Sequence, residues 1–310
     1  MNKYVSLFLK GMGMGAANVV PGVSGGTIAL ITGIFEKLID SIKAVDLQAV
    51  KLLFTGKFSG FARKINLDFL VAVFLGVVVS ILSIAKLFGF LLIHYPVYIM
   101  AFFFGLILAS IYFVAKTVTR WNLTVIISFA IGTVVAILLS ILEPAQENSS
   151  MLYLFVCGIV ATCSMILPGL SGSFVLILLG NYQLVMIDAV NQLDLKILLP
   201  VVVGAVAGLV FFANLLSWVF KKFRNPTISL LSGFILGSLG IIWPWKNEIP
   251  ATNSAGELIL KDGEPIITAY DWFVPERMNT EVIIAIGLIL LGILIIWATE
   301  LLASRKPQKQ

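Results

Sequence analysis

The 310-residue chain is 59% hydrophobic and only 12% charged, with a mean hydropathy of +1.04 and a formal net charge of +5. A soluble domain carries about 25% charged residues, so this composition excludes an ordinary water-soluble protein. The positive charge does not point to nucleic acid, because the lysines and arginines sit in short loops between apolar runs with no basic face interleaved with aromatics.

Ten apolar stretches follow in chain order, at about 4–20, 22–39, 67–93, 97–115, 123–142, 151–167, 169–190, 196–220, 227–245 and 281–302. A helix crosses the hydrocarbon with about 20 apolar residues, so the pattern predicts an all-α polytopic membrane protein. A transmembrane barrel would show short alternating segments instead. The first stretch, with Lys3 before it and Gly-Ala-Ala near its end, imitates a cleaved signal peptide. Its internal counterpart at 151–167 cannot be one, so the first stretch is expected to be retained structure.

That counterpart is part of a repeat. Pro21-Gly22-Val23-Ser24-Gly25-Gly26 matches Pro168-Gly169-Leu170-Ser171-Gly172-Ser173 at an offset of 147, which also superposes Gly11 on Gly158 and Gly33 on Gly180. An offset of 128 aligns Gly76 with Gly204, Gly105 with Gly233 and Ser110 with Ser238. Near the end, an offset of 157 puts Thr124-Val125-Ile126-Ile127 on Glu281-Val282-Ile283-Ile284, and Glu143 on Glu300. Two halves are therefore expected. The first is 1–148, with a paired element over 4–40 and helices across 67–142; the second is 149–310, with a paired element over 151–190 and helices across 196–302.

Sixteen Lys and Arg residues fall on one side of an alternating threading, among them Lys3, Lys10, Arg63, Lys116, Lys221, Arg224 and Lys306. The other side receives Lys196, Lys246, Lys261 and Arg277 with the acid-rich stretch from Glu248 to Glu276. The positive-inside rule then puts both termini in the cytoplasm. Five stretches per half is an odd number, so the second half must run upside down relative to the first, as inverted-topology transporters do.

In each half the first two stretches are joined by Pro-Gly-x-Ser-Gly with no polar loop. Such a pair either crosses twice or forms a re-entrant hairpin. The hairpin is favoured, because a Pro-Gly joint frees backbone groups that membrane depth tolerates only when they are buried in protein or line a polar cavity. The two hairpins would enter from opposite sides, with tips meeting near the midplane. Each tip, with Pro21 and Gly22 or Pro168 and Gly169 ending one half-helix, starts a second whose free N–H groups and positive dipole end suit an anion. Ser24, Gly25, Gly26 and Thr27 supply donors and close approach at the first tip; Ser171, Gly172 and Ser173 do so at the second.

Helix ends return about 0.3 to 2 kcal/mol, whereas burying an unpaired anion costs several kcal/mol, so a cation is wanted. Lys86, within the stretch 67–93, is the candidate; its repeat equivalent is Asn214, and Asn18 just before the first tip is a further donor. Cys157 and Cys163 read as packing residues and His94 as an interface residue. No zinc-binding pattern is present, and neither a metal nor a cofactor is expected.

The segment from Gly11 through Asn18 and Pro21 to Thr27, together with Leu167-Pro168-Gly169-Leu170-Ser171-Gly172-Ser173, resembles a bacterial membrane family once catalogued as a domain of unknown function and now regarded as polyprenyl-phosphate transporters. The resemblance spans essentially the full chain. It implies a bacterial cytoplasmic-membrane protein, not an enzyme, that returns undecaprenyl phosphate from the outer to the inner leaflet for cell-wall synthesis. Its partners would be the polyprenyl-phosphate lipid, membrane lipids and a coupling proton or cation, with Glu143 and Glu300 as relay candidates. Ser173-Phe174 stands where the first copy has Gly26-Thr27, which suggests an asymmetric site with more donors from the first tip. Membrane undecaprenyl-pyrophosphate phosphatases also carry Pro-Gly-x-Ser in inverted repeats, but with an Arg after the Ser. Here Gly25 and Gly172 take that place, so hydrolysis would lack its charge stabiliser. A transporter or channel for another anion is the alternative.

Overall fold

The computed structural model describes residues 3–19, 24–142, 144–250, 256, 258, 260–261, 264–265 and 267–304. The apolar runs become helices wherever a polar or Pro residue can cap them. The first half contains α1 (Lys3–Val19), α2 (Gly25–Ile31), α3 (Phe35–Lys43), α4 (Leu47–Phe54), α5 (Phe58–Lys64), α6 (Leu67–His94), α7 (Pro96–Lys116) and α8 (Leu123–Ile141). The second contains α9 (Met151–Ile166), α10 (Gly172–Leu178), α11 (Ala189–Gln192), α12 (Leu195–Lys222), α13 (Arg224–Ser238) and α14 (Thr280–Ser304). Pro96 starts α7, where its missing N–H costs nothing. The side chain of Asn122 caps α8 by accepting from the Val125 N–H at 3.0 Å.

Among the described residues, five helices are long and apolar enough to cross a membrane, or six if α5 and the start of α6, bent 68° apart, count as one span. The chain is an all-α membrane protein in its spans. α7 and the helix from Arg224 to Ile242 are the most deeply buried of them, while α8, α12 and α14 show apolar outer faces suited to lipid.

Four helix pairs carry the packing: α1 with α6, α9 with α12, α8 with α13, and α7 with α14. Each seam is made of glycines that let backbones touch. Gly11 lies against the Val73 carbonyl and Gly76 against that of Phe8; Gly158 lies against Val201 and Gly204 against Phe155. Gly132 meets Leu230, Gly233 meets Phe129, Gly105 meets Ile289 and Gly292 meets Phe102. Such close approach is how helices associate without a hydrophobic drive between them.

Three regions differ from the expectation. The stretches 22–39 and 169–190 are not continuous: α2 and α10, of seven residues each, stop at Gly33 and Gly180, whose φ values are +70° and +71°. Only a glycine enters that left-handed conformation freely, so the breaks are encoded. The loop 45–64 folds into α4 and α5, with Asp46 accepting from the Ala49 N–H at 2.9 Å and paired to Lys64 at 2.7 Å. The acid-rich stretch before α14 forms β1 (Lys246–Pro250), β2 (Leu260–Lys261), β3 (Glu264–Pro265) and β4 (Ile267–Trp272), with β1 antiparallel to β4.

Candidate functional site

α1 leads to the first tip and α2 leaves it. Asn18 on α1 bridges the two, its Oδ1 accepting from the Gly25 N–H at 2.7 Å, while Ser24 Oγ accepts from the Gly26 N–H at 3.1 Å. The Thr27 N–H is bonded to the Ser24 carbonyl at 2.9 Å. The carbonyl end of α2 is met by Lys10, whose Nζ donates to Thr32 O at 2.6 Å. Lys10 is thus a second cation inside an apolar stretch, one that sequence reasoning assigned only to topology, and it neutralises the negative end of a half-helix.

The two tips touch. Thr27 Oγ1, in a residue only 1% exposed, accepts from the Gly169 N–H at 3.0 Å. A Cβ on Gly26 would lie 3.2 Å from the Ile166 carbonyl at the end of α9. Gly169, with φ +84°, brings the second tip against α13, where a Cβ would sit 2.8 Å from Ser238 Oγ. Thr27→Val keeps the shape of this contact but leaves a buried N–H unpaired, which costs about 1–3 kcal/mol. Thermal unfolding in detergent should show that loss, with Thr27→Ser close to the parent; a Thr27→Val protein as stable as the parent would contradict the tip-to-tip bond.

Gly26-Thr27 against Ser173-Phe174 suggested more available donors at the first tip. The backbone donors on Gly25, Gly26 and Thr27, however, are already taken up by Asn18 and Ser24. At the second tip Ser171 makes no capping bond to α10, and its hydroxyl instead pairs with that of Ser173 at 2.8 Å. Both serines line a cavity of about 950 Å³. Its other walls are the junction of α6 and α7 (Leu92, Ile93, Pro96), Ile241 after α13, and the β1–β4 ribbon.

That ribbon supplies residues the sequence reading left among exterior loops. Lys246 and Tyr270 line the cavity, with the Lys246 ammonium 3.9 Å from the Tyr270 ring centroid and its Nζ donating to the Ile241 carbonyl. Burial pushes the Lys246 amine down to about 8, against the opposing pull of Glu248, and pushes the Tyr270 phenol up to about 12. Two indoles pin the ribbon to the end of α13: Trp272 Nε1 donates to Gly240 O at 2.7 Å and Trp243 Nε1 to Phe273 O at 3.0 Å. The available sequence signal was a Lys following the aromatic group Trp243-Pro244-Trp245 at the end of an apolar run.

At the opposite ends of α7 and α13 lies a separate, smaller cavity of about 160 Å³, beside an ion pair between Arg224 and Glu36 at 3.7 Å. There α3 is tied to α12, Ser217 Oγ donating to Asp40 at 2.6 Å and Lys221 approaching the same carboxylate at 3.4 Å.

The remaining predicted residues are placed as follows. Asn214 is exposed on α12, its amide back-bonded to Val210 O at 2.8 Å, and the structure does not bring it to either tip. Gly172 and Pro168 belong to the second tip, but a Cβ on Gly172 would sit 2.6 Å from Met165 Cγ and 2.8 Å from the Ala161 carbonyl, so its smallness serves packing against α9. Pro21, Gly22 and Glu143 lie outside the described residues. Lys86 and Glu300 are helical within α6 and α14, and their side chains lie outside the described residues.

Residues 14–259 match the family model described as undecaprenyl phosphate translocase-like. A polyprenyl-phosphate transporter of Vibrio cholerae is 41% identical over 257 residues, covering 83% of each chain. One from Staphylococcus aureus is 31% identical over 261 residues, covering 78% of this chain and 87% of its own. No solved structure matches the chain. These relatives are named as transporters, not as enzymes, and with a family model spanning most of its length the chain belongs to the undecaprenyl phosphate translocase-like family.

Proposed function

We propose that the protein carries polyprenyl phosphate from the outer to the inner leaflet of the bacterial cytoplasmic membrane, serving lipid-carrier recycling for cell-wall synthesis. The observation that carries this reading is the 950 Å³ cavity, which ends on the second tip at Ser171 and Ser173 where that tip meets the first. A lipid with a phosphate head needs a polar path for its head alone, while its tail stays in the bilayer. Both tips belong to that path, with Lys86 retained as a cation along it.

The inverted repeat is part of the proposal, and the glycine seams support it. The contacts Gly11–Val73 and Gly76–Phe8 recur as Gly158–Val201 and Gly204–Phe155, at offsets of 147 for α1 onto α9 and 128 for α6 onto α12. Those between α7 and α14 recur between α13 and α8, at 128 for α7 onto α13 and 160 for α8 onto α14. The last offset replaces the 157 read from sequence. At 160, Glu143 aligns with Ala303 rather than Glu300, so the argument that made those glutamates relay partners lapses. Seven-residue helices span about 10 Å, which favours hairpins that dip and return over pairs that cross twice.

The deciding experiment is reconstitution with labelled undecaprenyl phosphate, scoring head-group movement and phosphate release separately. Movement without release is expected; release would make the protein a phosphatase, and no movement would overturn the reading. Replacing Ser171 and Ser173 together by Ala should slow movement about 10- to 100-fold, the worth of one or two hydrogen bonds to a charged group. This pair is a cleaner probe than Gly172, whose substitution also disturbs Met165.

A further inference from the structure

Lys246 is the cation on the cavity wall, among the described residues, and no repeat logic singles it out. It is half-buried, one of its donors is spent on the Ile241 carbonyl, and its charge rests against the Tyr270 ring. An ammonium has three donors and no acceptor, so capacity remains for a ligand anion. The neighbours from each packed element leave that role open. β1 contributes Asn247 and Glu248, β4 contributes the Tyr270 phenol, the second tip contributes Ser171 and Ser173, the turn after α10 contributes Tyr182, and the α6–α7 junction contributes only apolar side chains. The ring face holds the ammonium in place without neutralising it.

We propose that Lys246 is the cation that receives the phosphate monoester of the lipid in the cavity and delivers it to Ser171 and Ser173. The assignment rests on the transport reading above and adds the charge that two helix ends lack. The neighbourhood also fixes a pH dependence. With its amine near 8, Lys246 is an ammonium at pH 7 and mostly neutral at pH 9. Tyr270, pushed up to about 12, stays a neutral phenol across that range. Phosphate reaches its second ionisation near pH 6, so the ligand itself gives no reason for binding to weaken. Affinity should therefore hold below pH 8 and fall about tenfold between pH 7 and pH 9, as the protonated fraction does.

The test uses the full chain in nanodiscs with two probes, undecaprenyl phosphate and the neutral alcohol undecaprenol. In the parent, the dissociation constant for the phosphate lipid should rise about tenfold from pH 7 to pH 9. Lys246→Arg, whose guanidinium stays charged, should bind the phosphate lipid with a flat profile. Lys246→Met should bind it about 10- to 100-fold more weakly at pH 7, with no pH dependence. Binding of the alcohol should not change in any of them. A Lys246→Met protein with parental affinity at pH 7, or a Lys246→Arg profile that falls like the parent's, overturns the assignment. A parent that binds both lipids equally at pH 7 overturns the transport reading and the assignment with it.

Discussion

Alanine at Gly76 or Gly204 should prevent the protein from reaching a monodisperse folded state, while alanine at Gly287 should leave it unchanged or slightly more stable. A single methyl group decides this. A Cβ on Gly76 would overlap the Phe8 carbonyl oxygen and one on Gly204 that of Phe155, both backbone atoms inside rigid helices, whereas Gly287 has nothing within 4 Å. No rotamer relieves a clash with main chain, so each helix pair must separate along its length. Ordinary overpacking costs about 1–3 kcal/mol; forcing two long helices apart should cost at least about 3 kcal/mol, enough to be a diagnostic loss. At Gly287 the exchange gains about 1 kcal/mol of helix propensity. Thermal unfolding in detergent with size-exclusion profiles reads all three variants. If Gly204→Ala melts with the parent, α9 and α12 do not meet as described.

Transport should respond to membrane potential and to a coupled ion, and here the expected effect is larger still. In the proposed direction an anionic head moves toward a cytoplasm held negative, at about 2.3 kcal/mol per charge per 100 mV. A phosphate monoester carries about 1.5 to 2 negative charges, so a bare head faces about 3 to 5 kcal/mol, equivalent to a leaflet ratio of several hundredfold or more. Cotransport of a proton or cation removes that barrier, and protonating the phosphate removes part of it. Head-group uptake in proteoliposomes clamped inside-negative should accelerate with an acidic exterior or an inward sodium gradient, the two varied independently. Uptake indifferent to both ions and to the potential would leave a scramblase driven by consumption of the lipid on the cytoplasmic side.

What the sequence made legible was whatever depends on local composition. Apolar runs specify spans, and Pro168-Gly169 or Ser24-Gly25 specifies a helix break, because each acts through its own backbone. The break at Gly33 was hidden, since the apolar pattern reads straight through it and only its φ value exposes it. The proposed repeat register of α14 on α8 is hard to read from sequence because both segments are apolar at nearly every position; the seam contacts of Gly132 and Gly292 are what support an offset of 160. The first tip looked richer in donors because residue types do not say which donors are already engaged, and Asn18 engages one. Lys246 could not be singled out because its environment is assembled by Tyr270, brought near by the pairing of Glu248 with Tyr270 across β1 and β4.

The exchange of partners between halves also sets an order on how the molecule is made. α7 and α8 find their glycine seams on α14 and α13, which the ribosome has not yet synthesised when the first half enters the bilayer. At about 5–20 residues per second, the interval between Pro96 and Thr280 leaves α7 waiting roughly 10 to 40 s with Gly105 exposed to lipid. During that time α1 and α6 can already close on each other, because both are present. The nascent protein is therefore a membrane-inserted intermediate with one finished pair and two unsatisfied surfaces, of which that of α8 closes when α13 arrives and that of α7 only with α14. A ribosome stalled before Thr280 would display the α7 surface to the cell's membrane quality-control proteases.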